Sequence, residues 1–293
     1  MRSPRLWRWI DSSDVRVLAL FGLGIAVLHI AVNGQYGFHR DELLTFTNAR
    51  DLAWGYVSYP PMTAFLARVE LEMFGTSLVG FRFFAALSHG IVLVLAGLIA
   101  RQLGGKRWAQ LLAAASVAVG GHALWSGGSH SYTTFDYLWW VLAAYFVSRL
   151  LSSGNPRWWV AIGAAIGLGM LTKYTMAFLV LGVVVGTLLT PARRHLRSGW
   201  FWLGVAAALL VIVPNVVWLF QHQFASIECM RSIHERDIRW GRTDNFLIGQ
   251  FWKCANPLVT PVWCAGLWHL FATRSAKRFR MLGWMYVTPL LAL

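Results

Sequence analysis

Asp41 and Glu42 are consecutive carboxylates in the stretch GFHRDELLTF (37–46), just after the first hydrophobic run of the chain. A carboxylate facing a substrate hydroxyl can take its proton as a general base. Four more candidates lie near the ends of later apolar runs: Arg82, His130, Asp136 and Lys173. If those runs cross a membrane alternately, all six residues fall at one membrane level. Cations and helix N-termini hold phosphate, so two or three carboxylates mixed with Lys and Arg beside lipid suit a reaction on an anionic lipid headgroup. Each residue also has a plainer role. Acids are favoured at a helix N-terminus by its dipole, Arg40 and Arg82 can be interfacial anchors, and His130 can be a loop histidine. Asp136 and Lys173 stand out because ionisable groups within or beside apolar helices are costly, although a buried Asp–Lys pair can be purely structural.

Composition says what surrounds these groups. The 293 residues are 57% hydrophobic and 13% charged, with 17 Trp. A soluble domain of this size cannot hide that much apolar surface, whereas bilayer-spanning helices leave theirs in lipid. The net charge of +14 points to nucleic acid only if it is spread along the chain. With a cytoplasmic N-terminus, the segments 1–16, 101–107, 149–157, 191–198 and 273–280 share one side. They hold 16 of the 26 Lys and Arg residues and only two acids, Asp11 and Asp14. The other side is close to neutral, as the positive-inside rule expects, and nucleic acid is set aside. Cys229, Cys254 and Cys264 show no metal-ligand spacing and read as packing residues, with Cys229 on the outer side and oxidisable. The basic N-terminus followed by an apolar run lacks a small-x-small cleavage site and reads as an uncleaved signal anchor.

The expected architecture is all-α and polytopic, with about eight to nine transmembrane helices in a single domain spanning 1–293. Helices are expected over about 15–33, 81–100, 108–125, 134–151, 199–220 and 247–272. Residues 34–80 form an outer loop carrying two short helices, 41–54 and 58–75. In the second, Pro61 suits the first turn. Met62, Phe65, Leu66, Val69 and Met73 form a helical stripe, which either lies in the membrane interface or packs on the bundle. Segment 158–190 is too long for one pass and short for two, so two short helices meeting at GMLTKYT (169–175) are expected, with Lys173 at their turn. Residues 221–246 read as an outer loop. The last run, 281–293, falls short of a span, and a truncated chain or a stub is expected. The five outer histidines, His39, His122, His130, His222 and His234, have no tight metal spacing.

The string GFHRDELLTFTNARDLAWGYVSYPPMTAFLARVELEMFG resembles the first outer loop of the bacterial family 39 glycosyltransferases, which depend on polyprenyl-phosphate sugars. These are relatives of the protein O-mannosyltransferases and of the lipid A aminoarabinose transferase. The TFD of 134–136, the LTKYT turn, TPARRHLRSGWFWLG and VPNVVW extend the resemblance over about 17–270. It implies the multi-spanning C-superfamily fold in a bacterial inner membrane, with the active site on the outer side. The reaction it implies is inverting transfer of a sugar from a polyprenyl-phosphate donor to a lipid, glycan or protein acceptor. By the same resemblance Asp41 is the base and Glu42 orients the acceptor or a cation. Lys173, Arg82 and Arg40 stabilise the departing phosphate, and Asp136 positions sugar hydroxyls, the cation or Lys173. Tyr59 and the two prolines after it shape the second loop helix near the lipid carrier, and His130 joins the substrate-binding set. No cofactor is assigned, and a divalent cation stays open. A transporter or flippase for lipid-linked substrates is the first rival. It would favour pseudo-symmetric halves with broken helices at the bilayer midplane, which the sequence does not display. A non-catalytic, truncated membrane partner is the second.

Overall fold

The computed structural model describes residues 13–241 and 246–292. The signal-anchor expectation for the extreme N-terminus lies outside them. In chain order the helices are α1 (Ser13–Val32), α2 (Arg40–Arg50), α3 (Met62–Phe74), α4 (Leu78–Phe81), α5 (Phe83–Gln102), α6 (Arg107–Ala118), α7 (Gly121–Gly127) and α8 (Tyr132–Ser153). They continue with α9 (Trp158–Met170), α10 (Met176–Leu189), α11 (Gly199–Gln221), α12 (Ala225–Arg239), α13 (Phe246–Gly249), α14 (Thr260–Ala272) and α15 (Arg280–Ala292). No strand occurs among the described residues. Helices α1, α5 and α11 are long and apolar enough to cross a membrane, and the bent pair formed by α10 and the turn Pro191–Arg197 would be a fourth. The chain is a helical membrane protein, a form in which each spanning segment satisfies its own backbone hydrogen bonds inside the lipid.

Small residues let these helices approach closely where lipid offers no hydrophobic drive. At the α1–α5 crossing, a Cβ on Gly22 would lie 2.7 Å from the carbonyl oxygen of Gly90. At the α9–α11 crossing, Gly163 and Gly204 meet backbone to backbone. Around α8, α9, α10 and α15 the largest apolar core gathers Val147, Leu150, Ile162, Met176 and Met281. On the first half of the bundle, a second core joins Leu18, Leu93, Ala114 and Ala118.

Three expectations change. The helix expected over 108–125 breaks after Ala118, and Gly120 starts the short α7. The helix expected over 247–272 divides at Ala255 and Asn256, before Pro257. The loop expected over 221–246 contains the 15-residue α12. Its polar residues concealed a helix because they leave only a narrow apolar face. The paired helices of 158–190 are present as α9 and α10, with Lys173 in the turn between them. In α3 the stripe of Met62, Phe65, Leu66, Val69 and Met73 lies on the less buried side. Thr63, Ala64, Ala67 and Glu70 are turned inward.

Candidate active site between the first loop and the bundle

Helix α2 begins with a reciprocal cap. His39 accepts from the backbone N–H of Asp41 through Nδ1 at 3.2 Å, while Glu42 accepts from the His39 N–H at 2.8 Å. This is the geometry of a capping box, which satisfies backbone donors that a helix start leaves open. It sends two adjacent acids to opposite surroundings.

Glu42 points inward and is fully buried. Arg82 grips it with Nε on Oε1 at 2.8 Å and a terminal nitrogen on Oε2 at 2.6 Å, the bidentate fork that suits arginine and carboxylate. The backbone N–H of His130 adds a bond to Oε1 at 2.9 Å. Burial alone would raise the Glu42 pKa, but Arg82 and the His39 and His130 N–H groups outweigh it and hold the carboxyl below its ordinary value. The remaining donors of Arg82 reach the carbonyl oxygens of Asn33 (2.7 Å), Tyr36 (3.4 Å) and Gly37 (2.9 Å). Every guanidinium N–H is therefore used inside the protein. The expectation gave Arg82 to a leaving phosphate and Glu42 to an acceptor or cation; here both side chains are buried and bonded to each other and to the surrounding backbone.

His130 is equally buried. Its Nε2 lies 3.1 Å from the carbonyl oxygen of Thr63, and its Nδ1 lies 2.6 Å from Oε2 of Glu70. The latter contact is close but off the direction of a well-aligned hydrogen bond. The Thr63 carbonyl can only accept, so Nε2 is the ring nitrogen that donates to it. Burial raises the Glu70 pKa, with His130 and the N–H of Phe84 partly offsetting it. Glu70 was hidden in the sequence, where it reads as a polar position of an amphipathic helix. Its inward spacing with Thr63 and Ala67 was the available signal. His130 thus belongs to the buried frame and offers no exposed nitrogen to a substrate.

Tyr59 is buried too. Its hydroxyl accepts from Asn48 at 2.6 Å, and its ring packs 5.6 Å from Tyr56 and 5.7 Å from Tyr132. Burial raises its pKa, with the hydrogen bond it donates to Thr45 and the one it accepts from Asn48 partly offsetting the rise. Further bonds tie the loop to the bundle. Asn215 on α11 donates to the Trp54 carbonyl at 2.8 Å, Ser226 on α12 donates to that of Tyr56 at 3.0 Å, and the Met62 N–H reaches the Leu171 carbonyl at 2.9 Å. Asn215 explains the VPNVVW string, whose asparagine also accepts from the Tyr174 hydroxyl.

Asp41 is different. Its side chain is 41% exposed and touches only exposed or half-exposed partners, Arg40 at 3.1 Å and His39 at 3.9 Å. Arg40 is itself open, at 87% exposure. Tyr132, next to Tyr59, is within electrostatic reach of both Asp41 and Arg40. Lys173 holds its ammonium 5.4 Å from the centre of the Tyr132 ring. Lys173 makes no ion pair among the described residues. Asp136 instead accepts from Trp140 at 3.1 Å and Thr175 at 3.1 Å, while Lys173 still bears on it electrostatically. Asp136 and His122 line a mostly apolar cavity of ≈ 590 Å³ between α5, α8 and α15. Along α8 it runs from Thr133 to Ala144, a depth of about 16 Å at 1.5 Å per residue. The structure therefore divides the expected residues. Glu42, Arg82, His130 and Tyr59 form a buried frame, whereas Asp41, Arg40 and Lys173 keep accessible charge around Tyr132. Among the described residues no three His, Cys, Asp or Glu side chains gather as a metal site.

Similarity to known proteins bears on this arrangement. Over 257 residues the chain is 27% identical to the lipid A galacturonosyltransferase of Rhizobium johnstonii, covering 85% of this chain and 53% of that protein. Over 169 residues it is 32% identical to the undecaprenyl phosphate-α-4-amino-4-deoxy-L-arabinose arabinosyl transferase 1 of Pseudomonas fluorescens, covering 54% of this chain and 30% of that protein. The chain thus spans about half the length of the first of these relatives and less of the second. No solved structure matches significantly. The family model of dolichyl-phosphate-mannose-protein mannosyltransferases matches residues 58–218, a span that holds Tyr59, Arg82, His130, Asp136 and Lys173. It covers more than half of the sequence, and the chain belongs to that family.

Proposed function

We propose that this protein is a membrane glycosyltransferase that moves a sugar from a polyprenyl-phosphate donor to an acceptor hydroxyl, with Asp41 as the general base. The observation that carries this reading is the division between Asp41 and Glu42. One carboxylate is consumed by the frame, and its neighbour is held at the same helix start with an accessible face. In the reaction the acceptor oxygen attacks the anomeric carbon as the bond from that carbon to the phosphate oxygen breaks. Asp41 takes the acceptor proton, and the polyprenyl phosphate leaves with the bonding pair. A single displacement of this kind inverts the anomeric centre. Lys173 and Arg40 are the cations with accessible charge on this face, and they stabilise the negative charge that builds on the leaving phosphate. Asp136 positions sugar hydroxyls or Lys173, and the apolar cavity below it accommodates lipid. Glu42, Arg82, His130 and Glu70 fix the helix that presents Asp41.

The relatives' names favour a lipid acceptor such as lipid A and an undecaprenyl-phosphate donor. The sugar itself stays open, since one relative is named for galacturonic acid and the other for aminoarabinose. We place the site on the outer face of a bacterial inner membrane, with the N-terminus cytoplasmic and about eight to nine spans, because the basic segments then follow the positive-inside rule.

The test is transfer of label from radiolabelled polyprenyl-phosphate sugars to endogenous lipid, glycan or protein in membranes containing the chain or its Asp41→Asn variant. A general base contributes about 10²–10⁴ in rate, so label transfer should fall by that factor in the variant. The donor that transfers names the sugar, and the fraction that becomes labelled names the acceptor. Unchanged transfer in Asp41→Asn would remove Asp41 from the mechanism.

A further inference from the structure

At the end of the bundle away from Asp41, two turns distant in sequence face each other. The first is the turn Pro191–Arg197 after α10, and the second is the segment 274–278 before α15. Together with the end of α8 they enclose a cavity of ≈ 420 Å³. Arg194, His195, Arg274, Lys277 and Arg278 line it, and Leu150, Leu151 and Pro191 form an apolar flank. Leu150 lies 14 residues beyond Asp136, or about 21 Å along α8, so this cavity is separate from the site around Asp41.

No carboxylate lines the cavity. None of its four Lys and Arg side chains forms an ion pair with a described acid. The acid described at this end, Asp14, lies against Arg107 instead. The cations are exposed and therefore tolerable in water, yet their shared concavity focuses a positive potential. Arginine forks match the oxygen geometry of phosphate. An apolar flank beside a cationic rim also matches the junction of a lipid headgroup with its acyl chains, and basic pockets between spanning helices recur as sites for anionic headgroups.

We propose that this cavity binds an anionic phosphate-bearing group, with Arg194, Arg274, Lys277 and Arg278 as its ligands. The site lies at the opposite end of the bundle from Asp41 and is separate from the transfer site.

Native mass spectrometry of the delipidated full chain in detergent tests this, with phosphatidylglycerol and phosphatidylcholine as competing probes. Phosphatidylglycerol should be retained at least about tenfold better. Each neutralised cation should weaken retention about fivefold, the equivalent of about 1 kcal/mol per charge, and the set Arg194→Gln, Arg274→Gln, Lys277→Gln and Arg278→Gln should abolish the preference. Neutralising Arg101, Lys106 and Arg107, basic residues outside the cavity, should leave it intact. If the fourfold variant does not insert, single changes at Arg274 and Arg278 in the exposed turn carry the same test. Displacement of the lipid by inorganic pyrophosphate would assign the cavity to phosphates generally, and resistance would assign it to lipid headgroups; both support the proposal. Equal retention of the two lipids, or equal loss in the control variant, would overturn it.

Discussion

The buried frame around Arg82 and the open face around Tyr132 lie side by side, and they use charge in opposite ways. In the frame, every nitrogen–hydrogen of Arg82 and both oxygens of Glu42 are engaged, with Glu70 and His130 alongside. On the open face, Asp41, Arg40 and Lys173 keep accessible charge and few fixed partners. A fully paired buried charge holds geometry but has nothing left for a substrate. A partly paired charge can act on one only if a neighbouring frame holds it in place.

The largest effect on stability should come from dismantling the frame. Removing one partner of a buried pair leaves the other uncompensated and costs about 3–5 kcal/mol. Glu42→Ala or Arg82→Ala should therefore lower the melting temperature in detergent sharply, whereas Arg40→Ala on the open face should leave it nearly unchanged. Equal small shifts in all three would erase the distinction.

A second difference lies within the frame and concerns pH. Glu42 has its pKa lowered from 4.5, so its contribution is present above 4.5 and is lost as pH falls toward the lowered value. Glu70 has its pKa raised from 4.5, so the folded state holds a proton that the unfolded state releases. Stability from Glu70 therefore falls as pH rises from 4.5 to the raised value. Melting temperature measured against pH should lose its acid-side decline in Glu42→Gln and the opposing slope in Glu70→Gln. Identical profiles for the two variants would contradict the assignment.

The smallest effect belongs to Tyr59, at the edge between the two regions. Tyr59→Phe removes the hydroxyl that Asn48 contacts at 2.6 Å and should cost about 1 kcal/mol. That loss should appear in denaturant midpoints, with transfer activity retained within a few-fold.

How much of this could be read beforehand follows from the range of each interaction. Helix α1, the paired α9 and α10 and the turn holding Lys173 were legible because length and apolar runs are local properties set against bilayer thickness. Asp41 and Glu42 were legible as a chemical pair. Which of the two turns inward was not, because that depends on Arg82, forty residues away. Glu70 was missed for a related reason. Hydrophobic periodicity assigns the large apolar stripe of α3 to either an interface or a core, yet the side packed inward carries Thr63, Ala64, Ala67 and a glutamate matched to His130. Helix α12 was missed because its charges read as loop, although Arg231 and Glu235 form an i, i+4 pair on its surface.

The most direct measurement sets Asp41→Asn beside Glu42→Gln in one preparation, reading sugar transfer and melting temperature on each. The predicted result is that Asp41→Asn loses transfer by about 10²–10⁴ while melting as the parent does, and that Glu42→Gln melts at lower temperature. Transfer that survives in Asp41→Asn, or the same loss of stability in both variants, would contradict the division of labour between the two carboxylates.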